Sequence, residues 1–189
     1  MASIPSLEWQ QRTVAALRAG DPHALTEVYQ LYRARLFGYL LRMAGDRPTA
    51  EDLLQETWLR VARAAPGLRE DTRIDAWLFT VARNTFISER RWRMLDATRL
   101  LKFQWFPSIS PRTPLAEVEL RAEQRRVEDA LARLDLPHRE ILLLVGAEGF
   151  TPQEVSTILG LTPEATRKRL SRARAQLDEM LTSGEGQDG

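Results

Sequence analysis

Residues 151–174 read TPQEVSTILGLTPEATRKRLSRAR, and the fold of the chain turns on how this stretch is parsed. Thr151 followed three residues later by Glu154 is a capping box, and Pro152 sits at the first helical position, so a helix is predicted to start there. It carries Val155, Ile158 and Leu159 inward and stops at Gly160. Thr162-Pro163 starts another helix almost at once. Two short helices joined by a Gly-containing turn are the helix-turn-helix pattern. In the second helix Thr166, Leu170, Ala173 and Leu177 share one face and are expected to pack inward. Glu164, Lys168, Ser171 and Arg172 lie opposite, flanked by Arg167, Arg169 and Arg174. Such a basic face suits a major groove, where Arg and Lys meet phosphates and guanine edges. A solvated helix face would look similar in isolation. The capped pair with its tight turn favours DNA.

Outward from this stretch, nearly every segment repeats the helical spacing, and no alternating strand pattern is evident. Leu25, Val28, Tyr32, Leu36, Tyr39, Leu40 and Met43 form an amphipathic series that Gly45-Asp46-Arg47-Pro48 ends. A second helix is predicted from Thr49 through Leu53, Leu54, Trp58 and Val61, stopped by Pro66-Gly67. A third runs from about Thr72 into the basic Arg90, Arg91 and Arg93. Residues 95–114, with Pro107, Pro111 and Pro114, read as a linker. Its segment Leu100–Phe106 is oddly apolar for a solvated tether. Helix resumes from about Leu115 to Leu134, and again from Leu136-Pro137 to near Gly149. The expected organisation is all-α: two small helical domains, residues 21–94 and 115–181, on a flexible linker. Residues 1–20 form an N-terminal extension with the start of the first helix, and 182–189 a frayed tail.

Bulk composition narrows the function. The 189 residues hold 27 Lys+Arg against 26 Asp+Glu, a net charge of +1. A globally basic DNA coat is therefore excluded, and nucleic-acid binding must come from segregated charge. Cys is absent, which removes disulfides, thiol nucleophiles and thiolate metal sites and fits a reducing cytosol. No apolar run approaches the roughly 20 residues of a membrane span, and a cytoplasmic protein is expected. His23 and His138 are isolated and expected at the surface, and the carboxylates form no acid–base or metal arrangement. No catalytic residue, metal or cofactor is expected.

The N-terminal helices carry a second constellation. Opposite Ala50, Leu54, Trp58 and Val61, the second helix presents Asp52, Gln55 and Glu56 with Leu59 in their midst. An acidic face repels DNA, so it suits a basic protein partner, with Leu59 as an apolar centre. In the third helix Ile74, Trp77, Leu78 and Val81 are expected inward, while Phe79 and Arg83 point away, followed by Asn84, Arg90 and Arg91. Aromatic, Asn and Arg side chains beside a basic stretch suit unstacked bases: π-faces, amide readers and cations for phosphate.

These segments, in this order, resemble the extracytoplasmic-function group of sigma-70 factors. Thr49 to Trp58 (TAEDLLQETW) resembles region 2.2, and Asp75 to Asn84 (DAWLFTVARN) resembles regions 2.3 and 2.4. Leu134 to Glu140 with Glu148 to Thr151 resembles region 4.1 and the entry to 4.2. Ile158-Leu159-Gly160 and Arg167 to Arg174 resemble the region 4.2 helix-turn-helix. The likeness covers about residues 21–181, the linker excepted.

The resemblance implies that Asp52, Gln55, Glu56 and Leu59 bind the β′ clamp helices of core RNA polymerase. It implies that Asn84, among Phe79, Arg83, Arg90 and Arg91, captures a flipped non-template base of the −10 element. Glu164, Arg167, Lys168, Arg169, Ser171 and Arg172 would meet the −35 element, with a contact to the β flap beneath. The linker would thread through polymerase, and an anti-sigma factor is an implied partner. Two departures stand out. Glu164-Ala165-Thr166 replaces the usual Gly-Thr-Val, and Leu68 replaces a commoner aromatic. The rival reading is a helix-turn-helix regulator whose N-terminal helices dimerise or sense a signal. It leaves the Asp52 face and the Asn84 region without a reason.

Overall fold

The computed structural model describes the backbone of residues 6–97 and 118–183, and the side chains of 6–91 and 124–182. The chain divides into two compact units between Gln104 and Trp105. The expected linker residues 98–114, the apolar Leu100–Phe106 and the tail 184–189 lie outside the described residues.

The first unit holds α1 (Leu7–Arg18), α2 (Pro22–Ala44), α3 (Arg47–Ala64) and α4 (Ile74–Ala97), with a 3₁₀ turn at Ala65–Gly67. Ser6, Asp21 and Asp46 open the first three by accepting from the amides of Trp9, His23 and Thr49. Gly45 closes α2 at φ 84°, a left-handed backbone that glycine adopts without penalty. The core is fully buried Tyr32, Leu36, Tyr39 and Leu40 of α2 against Ile74, Leu78 and Phe79 of α4. Such side chains contribute about 1.5–3 kcal/mol each relative to exposure. Thr57 is also buried, its hydroxyl satisfied by the Leu53 carbonyl at 2.7 Å. Residues 1–20 were expected as an extension leading into the first helix. Instead α1 is a helix of its own, separated from α2 by Gly20, with Val14 and Leu17 buried.

The orientation of α4 corrects the sequence reading. Phe79, expected to point away, is fully buried, edge-on to Tyr39 with ring centroids 5.4 Å apart. Trp77 and Val81, expected inward, are only half-buried. The first half of α4 is apolar nearly all round, so periodicity alone left the direction of its inner stripe undetermined. Phe79, Ala82 and Phe86, all buried, turn it away from the Trp77 side. The helix also continues to Ala97, past the expected boundary at 94.

The second unit comprises α5 (Val118–Arg133), α6 (Leu136–Leu142), a π-helical turn at Leu143–Ala147, α7 (Pro152–Leu159) and α8 (Pro163–Ser183). The expected start of α5 at Leu115 falls outside the described residues, and α8 reaches Ser183, beyond 181. Asp135 caps α6 through the His138 amide at 2.9 Å. Both halves of the Thr151–Glu154 capping box are formed. Ile141, Leu143, Leu144, Val155 and Ile158 build the core with Leu170 and Ala173 of α8. Arg139 is buried and donates to the carbonyls of Leu131, Ala132 and Leu134, closing the open C-terminal end of α5.

Candidate nucleic-acid and protein interfaces

On α3 the buried stripe of Ala50, Leu53, Thr57 and Val61 leaves Asp52, Gln55 and Leu59 on the exposed side. Leu59 is 52% exposed, a large apolar side chain in the middle of a polar face. The face is less acidic than its composition implies. Glu56 is half-buried and paired with Arg60 at 2.7 Å, and Glu51 pairs with Arg47 at 2.7 Å. Asp52 makes no ion pair among the described residues. Beside this face, Leu25, Thr26, Tyr29 and Trp58 line an open hollow of about 220 Å³. Tyr29 meets Trp58 edge-on at 5.0 Å.

On α4 the exposed residues are Asn84, Ile87 and Arg91, spaced at three and four residues, with the half-buried Thr80 and Trp77 continuing the same side of the helix. Arg83 and Arg90, seven residues apart, lie half-buried along the other flank. The structure therefore brings Asn84 and Arg91 together, sets Arg83 and Arg90 beside them, and removes Phe79. Trp77 and Ile87 are the apolar members that sequence reasoning missed. Ile87 lies three residues after Asn84 and Trp77 seven before it, offsets visible in the sequence, but only the tertiary fold shows which stripe faces out.

The core behind α4 is electrostatically tuned. Burial pushes the Tyr32 hydroxyl up to about 12, aided by the Asp75 carboxylate and opposed by Arg35 and Arg73. Arg35 stacks its guanidinium over both Tyr32 and Phe79 at 5.5 Å. Ahead of α4, the hydrogen bond from Arg69 holds the exposed Asp71 carboxyl below the usual carboxylate range.

In the second unit Gly160 turns the chain at φ 65° between α7 and α8. The Thr162 hydroxyl accepts from the Ala165 amide at 3.1 Å and opens α8. Thr166, Leu170 and Ala173 are buried as expected, and Leu177 is half-buried. Glu164, Arg167, Lys168, Ser171, Arg172 and Arg174 are exposed, whereas Arg169 is half-buried on the flank. Glu164 and Lys168 pair at 2.6 Å, so the carboxylate at the helix entry is partly neutralised. Both are largely exposed, and such a pair is readily broken by a phosphate or base. His138, expected on the surface, is half-buried and its Nδ1 lies 2.9 Å from Gln176 Oε1.

An exposed basic helix after a glycine turn, and a separate helical unit with an Asn-Arg stripe, are the two halves the sequence motifs imply. Residues 28–94 match Sigma-70 region 2, and residues 124–177 match Sigma-70, region 4. The chain is 33% identical to the ECF RNA polymerase sigma factor SigL of Mycobacterium tuberculosis, over 85% of this chain and 90% of that protein. The chain belongs to the extracytoplasmic-function sigma factors of the sigma-70 family. It is likewise 31% identical to the RNA polymerase sigma factor CarQ of Myxococcus xanthus, over 87% of this chain and 92% of that one.

Among solved structures, the sigma factor RpoE of Bartonella quintana, in complex with the anti-sigma factor NepR, is similar. Its TM-score is 0.73 at 26% identity, covering 83% of this chain and 96% of that one. CnrH, in complex with the cytosolic domain of CnrY, shares the fold with a TM-score of 0.68 at 22% identity, over 93% and 98% of the two chains. As a sigma factor, the protein binds core RNA polymerase and directs promoter-specific initiation through −35 and −10 elements. Among the described residues, no helix is long and apolar enough to cross a membrane, and no three His, Cys, Asp or Glu side chains could jointly hold a metal ion.

Proposed function

We propose the following division of labour for the sigma factor. The α3 face of Asp52, Gln55, Glu56 and Leu59 docks on the β′ clamp helices of core polymerase. The α4 stripe of Asn84 and Arg91, flanked by Arg83 and Arg90, receives the unpaired non-template strand of the −10 element, with Trp77 and Ile87 as its apolar contacts. Arg167, Lys168, Ser171 and Arg172 of α8 enter the −35 major groove, with Glu164 and Arg169 at its margins, and the helices beneath α8 touch the β flap. The two helical units, one from α1 to the end of α4 at Ala97 and the other from α5 to α8, act as the two domains. The protein works in the cytoplasm and catalyses no reaction itself. An anti-sigma factor is its inferred regulator, the similar RpoE having been solved with one.

The observation that carries this reading is the sorting of side chains onto faces. An exposed Leu59 sits among Asp52 and Gln55 on one helix, and four exposed cations crowd α8. A regulator that dimerises through its N-terminal helices would need no such polar face around a single leucine. Leu59→Arg tests it directly. The substitution lies on an exposed face, so the far-UV spectrum and melting temperature should hold. Affinity for purified core polymerase should fall at least about tenfold, as expected for an apolar interface centre. Unchanged affinity in a binding titration would remove α3 from the clamp contact.

A further inference from the structure

α4 begins without a cap of its own. A Ser, Asp or Thr stands immediately before α1, α2, α3, α6, α7 and α8 and accepts from an amide of the first turn. The residue before α4 is Arg73, whose carbonyl already accepts the first helical bond from Trp77 at 2.9 Å. Its guanidinium only donates. Two other acceptors fill the gap. Asp75 Oδ1 accepts from the Ala76 amide at 2.8 Å, and Gln10 Oε1, buried on α1 and 64 positions away, accepts from the Ile74 amide at 3.2 Å. α1 is held for this task at two further points. Trp9 Nε1 donates to Glu27 of α2 at 2.6 Å, and Arg18 donates to Glu70, just ahead of α4, at 2.8 Å. It lies ahead of the segment that matches Sigma-70 region 2.

We infer that α1 is a brace for the DNA-melting helix, and that Gln10 is a positioning residue for promoter opening. The inference rests on the reading of Asn84 as the base-capturing residue. The first turn of α4 carries Trp77, which lies on the same side of the helix as Asn84. Without Gln10 the Ile74 amide has no acceptor, since Asp75 serves Ala76, and a first turn that lacks a capping bond frays. Fraying at Ile74 displaces Trp77 from the stripe that an unpaired strand must meet, while α3 and α8 are untouched. Promoter opening should therefore respond to Gln10, whereas core binding should not.

The test uses the full chain assembled with purified core polymerase. The promoter is the strongest one found by sequencing transcript starts after overexpression. It is supplied as a duplex and as a template with the −10 non-template strand already unpaired. Gln10→Met keeps the shape and removes the acceptor. Met43→Ala, a cavity in the last turn of α2, serves as a variant of reduced stability with the cap intact.

Gln10→Met should speed hydrogen exchange of the Ile74–Trp77 amides and slow opening of the duplex by roughly three- to tenfold, the equivalent of one lost cap. The pre-melted template and core affinity should change little. Met43→Ala should lower thermal stability without a selective loss on the duplex. Unchanged exchange at residues 74–77, equal losses on both templates, or the same selective loss from Met43→Ala would each overturn the brace. Asn84→Ala separates the two readings. If it slows duplex opening while Gln10→Met does not, only the brace fails. If Asn84→Ala is itself silent, base capture fails and the brace fails with it.

Discussion

Arg139 shows how much one side chain can decide. Its guanidinium enters the second unit's interior and donates to three carbonyls at the end of α5. Nothing in the pattern around Leu136-Pro137-His138-Arg139 distinguishes it from the many surface arginines; only the approach of α5 to α6 does. Arg139→Met should destabilise the second unit by roughly 2–3 kcal/mol, since a charged donor is lost and the buried Leu134 carbonyl loses its guanidinium partner. Arg139→Lys should recover little, because an ammonium cannot reproduce the planar fork. Four of the five tryptophans, Trp9, Trp58, Trp77 and Trp92, lie in the first unit, and none lies within α5–α8. The loss should therefore appear chiefly in the circular-dichroism transition and leave most of the tryptophan fluorescence transition in place. A circular-dichroism transition unmoved in denaturant would remove Arg139 from the account. Gln10 is a similar case: its neighbours in sequence give no hint that its amide oxygen serves a helix 64 positions on.

At the scale of elements, the two recognition helices differed in how far they could be read. α8 has a narrow buried stripe of Thr166, Leu170 and Ala173 between cations, so its inner and outer faces follow from spacing alone. α4 has Trp77, Leu78, Phe79, Val81 and Phe86 spread around its circumference, and spacing turned Phe79 outward, where it is buried, and Trp77 and Val81 inward, where they are half-buried. α1 was read as part of an extension because its buried set, Gln10, Thr13, Val14 and Leu17, is half polar. The turn before α8 gives a clean energetic test. A methyl group added at Gly160 meets no atom within 4 Å, so only its φ of 65° opposes a side chain. Gly160→Ala should cost roughly 1–2 kcal/mol, and Gly160→Asn less, because Asn tolerates the left-handed region. Equal losses in paired thermal melts would mean that packing, not backbone conformation, fixes the glycine.

For the whole molecule, a net charge of +1 is the sum of faces that meet different partners. Free in solution, the chain should bind a promoter duplex roughly 100-fold or more weakly than the holoenzyme at physiological salt, because few phosphates are neutralised without polymerase. Fluorescence-anisotropy titrations of one fragment at fixed salt would check this, and equal affinities would contradict it. The sequence by itself determined the all-α class, the break into two helical units and the helix-turn-helix. Caps, glycine turns and helical periodicity are local, and each is written within a few residues. It also carried the family, through several motifs in register. Tertiary structure decided which side of α4 meets solvent, that α1 is a separate packed helix, and that Gln10 and Arg139 satisfy helix ends distant from them. Those outcomes depend on where one element's unpaired backbone groups meet another's side chains, and spacing along a single helix does not encode that meeting.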